Sequence, residues 1–292
     1  MRILVTGAAG AVGSYVPKVF ADDELVLTDK RGDFRFLDVR DLDAVAATVA
    51  DVKPDVVLHL AAATDVDKCE RDTDYAFSNN AIGTQAVALA CRDAGCELVY
   101  ISTAGVFWGD KPEPYTEFDE PRPANVYGVS KLFGERIVES LCDRYFIVRA
   151  GWMVGGGVLD RKFVGKISEQ LRGGATHLKA VDDKFGSPTY APDLLRAIQR
   201  LLGTGWHGLY HSVNKGTCTR HDVAVELAKI LGREDVEIER VSSAEFPLPA
   251  PRARSEAMRN YRLELVGLDE APPWQEALHE YVTTELVAAL EL

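Results

Sequence analysis

Tyr127 and Lys131 stand four positions apart in Tyr127-Gly128-Val129-Ser130-Lys131. On a helix that spacing sets a phenol and an ammonium on one face. A phenol ordinarily titrates near pH ~10, and a neighbouring cation lowers that value. The pair is therefore expected to deliver a proton near neutral pH. Ser102-Thr103 closes the apolar run Leu98-Val99-Tyr100-Ile101, so Thr103 can share the oxygen that Tyr127 protonates. A second device begins at Thr6-Gly7-Ala8-Ala9-Gly10-Ala11-Val12-Gly13, directly after the run Ile3-Leu4-Val5. In this G-x-x-G-x-x-G spacing Gly7 suits a tight turn, Gly10 admits a pyrophosphate to the backbone, and Gly13 lets helix and strand pack closely. The helix that starts around Ala11 and Val12 offers N–H donors and a favourable dipole to phosphate. Asp29 ends the next apolar run, where a carboxylate accepts from an adenosine ribose and favours NADH. Lys30 and Arg31 follow at once and keep NADPH open, as partners for a 2′-phosphate. Asp38-Val39 is placed to meet an adenine amino group, and Ala61-Ala62-Ala63 is small enough for a cofactor to lie against backbone.

These residues need a scaffold that brings strand ends together. Short apolar runs recur at Ile3-Leu4-Val5, Leu25-Val26-Leu27, Phe34-Arg35-Phe36-Leu37, Val56-Val57-Leu58-His59-Leu60, Leu98-Val99-Tyr100-Ile101 and Tyr145-Phe146-Ile147-Val148. Continuous apolarity suits strands buried on both faces. Helical patterns lie between them at about 11–20, 41–50, 73–94 and 125–141, with Pro17 demanding a kink or a shifted start in the first. The alternation predicts an α/β fold with a doubly wound parallel sheet. The division expected is a dinucleotide-binding Rossmann domain over 1–150, with a return segment at about 187–210, and a smaller, mainly substrate-binding lobe over 151–292. In that lobe helices are predicted near 160–172, 191–202 and 219–231, strands near 177–181, 208–212 and 236–239, and a loop at Pro247, Pro249 and Pro251. His59, in mid-strand, is expected to be a packed core histidine, and His207 and His211 have no third ligand near them, so no metal site is expected.

Lysine and arginine total 33 against 45 aspartates and glutamates, a net charge of −12. Such a surface repels nucleic acid and anionic lipid, so an anionic ligand must be held by a local device. The five cysteines form no C-x-x-C pair, and the chain enters a strand at once. Both features point to a reducing cytoplasm and no targeting segment. No apolar run approaches the ~20 residues that span a bilayer.

The glycine loop, Thr103, Tyr127 and Lys131 together resemble the extended short-chain dehydrogenase/reductase pattern. The likeness narrows to the dTDP-4-dehydrorhamnose reductase family. Ala63-Thr64-Asp65-Val66-Asp67-Lys68-Cys69-Glu70 resembles its A-x-T-x-V-D-x-x-E stretch, and residues 123–135 resemble its P-x-N-V-Y-G-x-S-K-x-x-G-E helix. Val148-Arg149-Ala150-Gly151-Trp152 and Asp183-Lys184-Phe185-Gly186-Ser187-Pro188-Thr189 are similar to its sixth strand and its D-Q-x-G-x-P-T segment. Three stretches depart from the pattern. S-T-D-Y-V-F reads Ser102-Thr103-Ala104-Gly105-Val106-Phe107, the glutamine is Lys184, and R-P-x-x-S-x-L reads Arg252-Ala253-Arg254-Ser255-Glu256-Ala257-Met258.

The resemblance implies an NAD(P)H-dependent reductase of a 4-keto-6-deoxy sugar nucleotide. Tyr127 would be proton donor, Lys131 would hold the nicotinamide ribose, and Thr103 would orient the carbonyl. Val66, Thr103, Ala104, Trp152, Lys184 and Arg252 are the expected substrate contacts, with Arg252 and Arg254 a paired-arginine candidate for a diphosphate. It also implies a possible homodimer through the helices near 73–94 and 125–141. The rival readings are a nucleotide-sugar 4-epimerase with bound NAD, and a non-catalytic nucleotide-binding subunit resembling the regulatory subunit of methionine adenosyltransferase.

Overall fold

The computed structural model describes residues 1–287. Six strands are laid down in chain order: β1 (Arg2–Thr6), β2 (Glu24–Asp29), β3 (Arg35–Phe36), β4 (Val56–His59), β5 (Glu97–Thr103) and β6 (Tyr145–Ala150). With the strand Gly208–Ser212 they form one sheet, ordered Gly208–Ser212, β6, β5, β4, β1, β2, β3. Every pairing in it is parallel. The order reverses between β1 and β4, and in such sheets the crevice at the carboxyl ends of those strands is where ligands sit.

The first nine α-helices are α1 (Val16–Val19), α2 (Leu42–Val52), α3 (Val66–Arg71), α4 (Thr73–Phe77), α5 (Gly83–Ala94), α6 (Val126–Leu141), α7 (Phe163–Arg172), α8 (Ala191–Leu201) and α9 (Arg220–Ile230). Three elements, two helices and a strand, depart from the sequence expectation. The first helix is a 3-10 turn, Gly13–Tyr15, followed by the short α1, with Pro17 in its first turn. A missing N–H costs nothing there, so the proline shifts the start rather than kinking a longer helix. The pattern at 73–94 is divided into α4 and α5 by a π-helical turn, Ser78–Ile82. The third strand keeps only Arg35 and Phe36, both exposed, because β3 is the sheet's edge and is not covered on both faces.

One core cluster joins β1 (Ile3, Val5), β6 (Phe146, Val148) and α8 (Leu194, Leu195, Ile198). A second lies on the opposite face of the sheet under α2 and α5. A third belongs to α7, α9, the C-terminal helix Trp274–Tyr281 and the parallel pair His177–Val181 with Glu237–Val241. At ~25 cal/mol per Å² these clusters supply the main drive to fold. Among the described residues no helix is long and apolar enough to cross a membrane. All five cysteines are buried and free.

Candidate functional site

Gly7 holds φ +77°, and a Cβ on it would lie 2.5 Å from the backbone nitrogen of Ala61. Only glycine therefore allows the β1 turn to sit against the end of β4. The resulting pocket, about 190 Å³, is walled by Gly7, Gly10, Ala11, Val12 and Gly13, and on its far side by Asp29, Lys30 and Arg31. Asp38, Val39, Ala61 and Ala62 complete it, with Leu37 and Asn79 as additions that the sequence did not suggest. The Asp29 carboxylate accepts from the N–H of Ala9 (3.0 Å) and of Arg31 (2.9 Å), so it clamps the glycine loop as well as facing the pocket. Asp38 is gripped by Arg40 through two nitrogens, which holds its carboxyl down at about 2. Ala63 lies behind the wall, its backbone held both ways by the Asn80 amide (2.8 and 3.0 Å). That amide also donates to the Ser130 hydroxyl (3.0 Å), so the π-turn that carries Asn80 ties the end of β4 to α6.

Helix α6 carries Tyr127 and Lys131. Asn125 caps it, accepting from the Gly128 N–H at 2.9 Å, and Glu70 of α3 accepts from the Val126 N–H at 2.9 Å. A Cβ on Gly128 would lie 2.1 Å from the Gly105 carbonyl oxygen, so glycine lets α6 close onto the end of β5. Deeper along α6, Glu135 accepts from Nε and Nη2 of Arg149 (2.8 and 2.7 Å) and from the Ser102 hydroxyl (2.5 Å). Glu135 and Arg149 are each 2% exposed.

A larger cleft of about 340 Å³ opens beside this helix. Thr103, Ala104, Gly105 and Tyr127 form one wall, and Val66, Trp152, Lys184 and Arg252 lie around it. Thr64 lines both this cleft and the glycine-loop pocket, so the two adjoin. Burial pushes the Tyr127 phenol up to about 12, with the Thr103 hydroxyl opposing. The expected lowering of Tyr127 by Lys131 is thus corrected. Lys131 is itself buried, its ammonium is 4.1 Å from the centroid of the Tyr100 ring, and desolvation pulls it down to about 7 against the opposing pull of Glu135. Among the described residues no group of three or more His, Cys, Asp or Glu is placed to hold a metal ion.

Several cleft residues were not anticipated. The Arg220 guanidinium stacks 3.8 Å over the Trp152 ring, and the Trp152 indole N–H donates to Glu256 at 2.9 Å. Burial lowers Arg220 to about 10, with Glu256 opposing. Asn125, Phe185, Phe246 and Leu248 also face the cleft. The T-x-x-D capping box at Thr219 and Asp222 was readable, and it puts Arg220 first in α9; nothing in the sequence told which way it points. Lys184 donates to the Arg252 carbonyl (3.0 Å) and Arg252 pairs with Asp67 (3.0 Å). Arg254 lies outside this cleft, on a separate groove with Lys111, so the two arginines do not form a pair there. His59 is a core residue between the hydroxyls of Thr6 (2.7 Å) and Thr84 (3.2 Å). His211 is also fully buried, beside the Arg259 carbonyl (3.2 Å), while His207 lies beside Glu97 (3.3 Å).

The family model described as RmlD substrate binding domain matches residues 1–287. A dTDP-4-dehydrorhamnose reductase from Mycobacterium tuberculosis is 36% identical over 285 residues, covering 95% of this chain and 91% of the relative. The crystal structure of a dTDP-4-dehydrorhamnose reductase from Clostridium acetobutylicum superposes with a TM-score of 0.92 at 37% identity, covering 100% of both chains. That of a dTDP-4-dehydrorhamnose reductase from Bacillus anthracis, in complex with NADP, gives 0.91 at 34% identity over 97% of this chain and 99% of that one. The chain belongs to the dTDP-4-dehydrorhamnose reductase family of extended short-chain dehydrogenases/reductases.

Proposed function

We propose that this protein reduces the keto group of a 4-keto-6-deoxy sugar nucleotide with a reduced nicotinamide dinucleotide. The observation that carries the reading is the junction at Thr64: a glycine-loop pocket opens into a cleft whose wall bears Thr103 and Tyr127. The pocket's residues fit such a cofactor. The cradle at Gly7 has no room for a Cβ, and the helix start beyond it presents N–H groups to a pyrophosphate. Asp29 puts an anion where a 2′-phosphate would come, which supports NADH over NADPH, while Lys30 and Arg31 on the same rim leave NADPH usable. When bound, the dinucleotide supplies the hydride.

The chain's own groups then do the rest. Thr103 and Tyr127 bracket the carbonyl oxygen, and Tyr127 gives it a proton. A phenol raised to about 12 is protonated throughout the physiological range, which is the state a donor needs. Lys131 backs the phenol from the same helix face and holds the nicotinamide ribose. Val66, Ala104, Trp152, Lys184 and Arg252 surround the sugar nucleotide, with the Arg220–Trp152 stack as a further wall. In this division the sheet lobe holds the cofactor and the lobe built on α7 and α9 holds the substrate. Holding the two reactants side by side provides much of the rate.

The test is turnover of a pre-formed dTDP-4-keto-6-deoxy sugar with NADH, and separately NADPH, in stoichiometric excess. The reading expects loss of cofactor absorbance matched by alcohol product. With a 4-hydroxy dTDP-6-deoxy sugar as substrate instead, interconversion of its 4-epimers without net cofactor use would make the protein an epimerase, and binding without any turnover would make it a regulatory subunit.

A further inference from the structure

Residues 242–254 form a strap that lines the larger cleft through Ser243, Phe246, Leu248, Arg252 and Ala253. Pro247, Pro249 and Pro251 fix φ at every second position of its middle, and Phe246 and Leu248 face the cleft while remaining 45% and 53% exposed. A stiff segment with exposed apolar side chains needs anchors, and it has two. At one end Asp183 accepts from the Ser242 hydroxyl (2.7 Å) and the Ser243 N–H (3.0 Å). At the other, Asp67 of α3 accepts from the Ala250 N–H (3.1 Å) and pairs with Arg252 (3.0 Å), which also donates to the Ala250 carbonyl (2.7 Å).

The second anchor reaches the catalytic helix. Asn125 uses its carbonyl oxygen to cap α6, and with its NH₂ it donates to the Pro251 carbonyl at 2.9 Å. Glu70, three residues after Asp67 and so on the same face of α3, binds the Val126 N–H of that helix. Asp67, Glu70 and Asn125 thereby join strap, α3 and the start of α6 in one hydrogen-bonded knot, two residues from Tyr127.

We infer that Asp67 and Asn125 are positioning residues: they hold the strap over the sugar-nucleotide cleft and couple its seating to the helix that presents Tyr127. This rests on the proposed reductase reading for its ligand, not for its geometry. The Asp67–Arg252 pair is part-exposed, at 25% and 30%, so its own contribution to overall stability is small. Its effect belongs in substrate affinity. It also sets Arg252, which would meet a substrate anion, in a fixed place rather than free in solvent.

Two substitutions separate the strap from the fold. Asp67→Asn keeps an acceptor for the Ala250 N–H but removes the charge that holds Arg252. Asn125→Asp keeps a helix cap of equal quality but turns the amide donor facing the Pro251 carbonyl into an acceptor. Both variants should melt close to the wild type and bind NADH normally. Each should raise KM for the dTDP-4-keto sugar about tenfold, and Asn125→Asp should also lower kcat several-fold. Asn125→Ser, which caps the helix without reaching the strap, should behave like Asn125→Asp. Amide hydrogen exchange of residues 242–254 should quicken in all three without any ligand. KM within twofold of the wild type, with unchanged exchange in the strap, would overturn the inference. Faster exchange in a protein that turns over no keto sugar would leave the strap standing and remove the reductase reading.

Discussion

Glu135→Gln is the most demanding perturbation of the frame that presents Tyr127 and Lys131. Glu135 sits one helical turn beyond Lys131 and meets Arg149 of β6 through two hydrogen bonds and Ser102 of β5 through a third. With both partners 2% exposed, water cannot replace what is lost. Removing one member of such a pair leaves a buried, uncompensated charge on Arg149, at a cost of about 3–5 kcal/mol. For a chain of this size each kcal/mol moves the melting temperature by about 2 °C, so Tm should fall by about 6–10 °C. A second effect separates this from simple loosening. Glu135 is the group that holds the Lys131 ammonium up against desolvation, so without it the Lys131 pKa falls below about 7. A limb of the rate profile that needs this ammonium then shifts to lower pH. Calorimetry and kcat/KM against pH read the two effects separately. Glu135→Gln combined with Arg149→Met removes the stranded charge and should melt higher than either single variant. A Glu135→Gln protein melting within 2 °C of the wild type, with an unmoved pH profile, would refute the assignment of this pair as the frame's main support.

Other outcomes follow from the same geometry. Tyr127→Phe should lower turnover at least ~100-fold, the scale of lost acid catalysis, while NADH affinity measured by fluorescence stays within twofold; near-normal turnover would remove Tyr127 as donor. Asp29→Ala should weaken NADH and move preference towards NADPH, read as the ratio of the two dissociation constants, and an unchanged ratio would mean that Asp29 does not face the ribose. His59 and His211 are buried neutral, each pulled down to about 3. The unfolded chain therefore binds more protons than the native one between about pH 3 and 6.5, and stability falls as pH falls through that window. At pH 5 the loss is about 2 kcal/mol for each histidine, which urea unfolding at pH 7.5 and pH 5 would detect; equal stability at the two values would contradict it.

The sheet was readable because parallel strands covered on both faces leave unbroken apolar runs, as at Val56-Val57-Leu58 and Phe146-Ile147-Val148. Only the edge strand β3 escaped the rule, because an edge is not covered. The glycine loop, Thr103 and Tyr127 were readable because their chemistry is local, one turn or one strand end at a time. What was hidden is long-range. Asp67 meets Ala250 across 183 residues of chain and Asn125 meets Pro251 across 126, and no periodicity reports such a meeting. Arg220 and Glu256 reach Trp152 only after the second lobe has folded. The Tyr127 pKa was misjudged for a related reason: spacing shows that an ammonium is near a phenol, but the burial that raises the phenol depends on packing around α6.

The central claim is that one hydride and one proton reach a single carbonyl. Ala104 and Gly105, next to Thr103 on the cleft wall, carry no titratable group, so these two positions supply no acid or base to the neighbouring ring carbons. The direct measurement is product analysis by NMR and mass spectrometry after reducing a dTDP-4-keto-6-deoxy sugar with NADH in deuterated water. The account predicts one NADH oxidised per alcohol formed and no solvent deuterium on ring carbons three and five beyond that of an enzyme-free control. Solvent deuterium at either carbon with this protein alone, or no NADH oxidised while the keto sugar is bound, would contradict it.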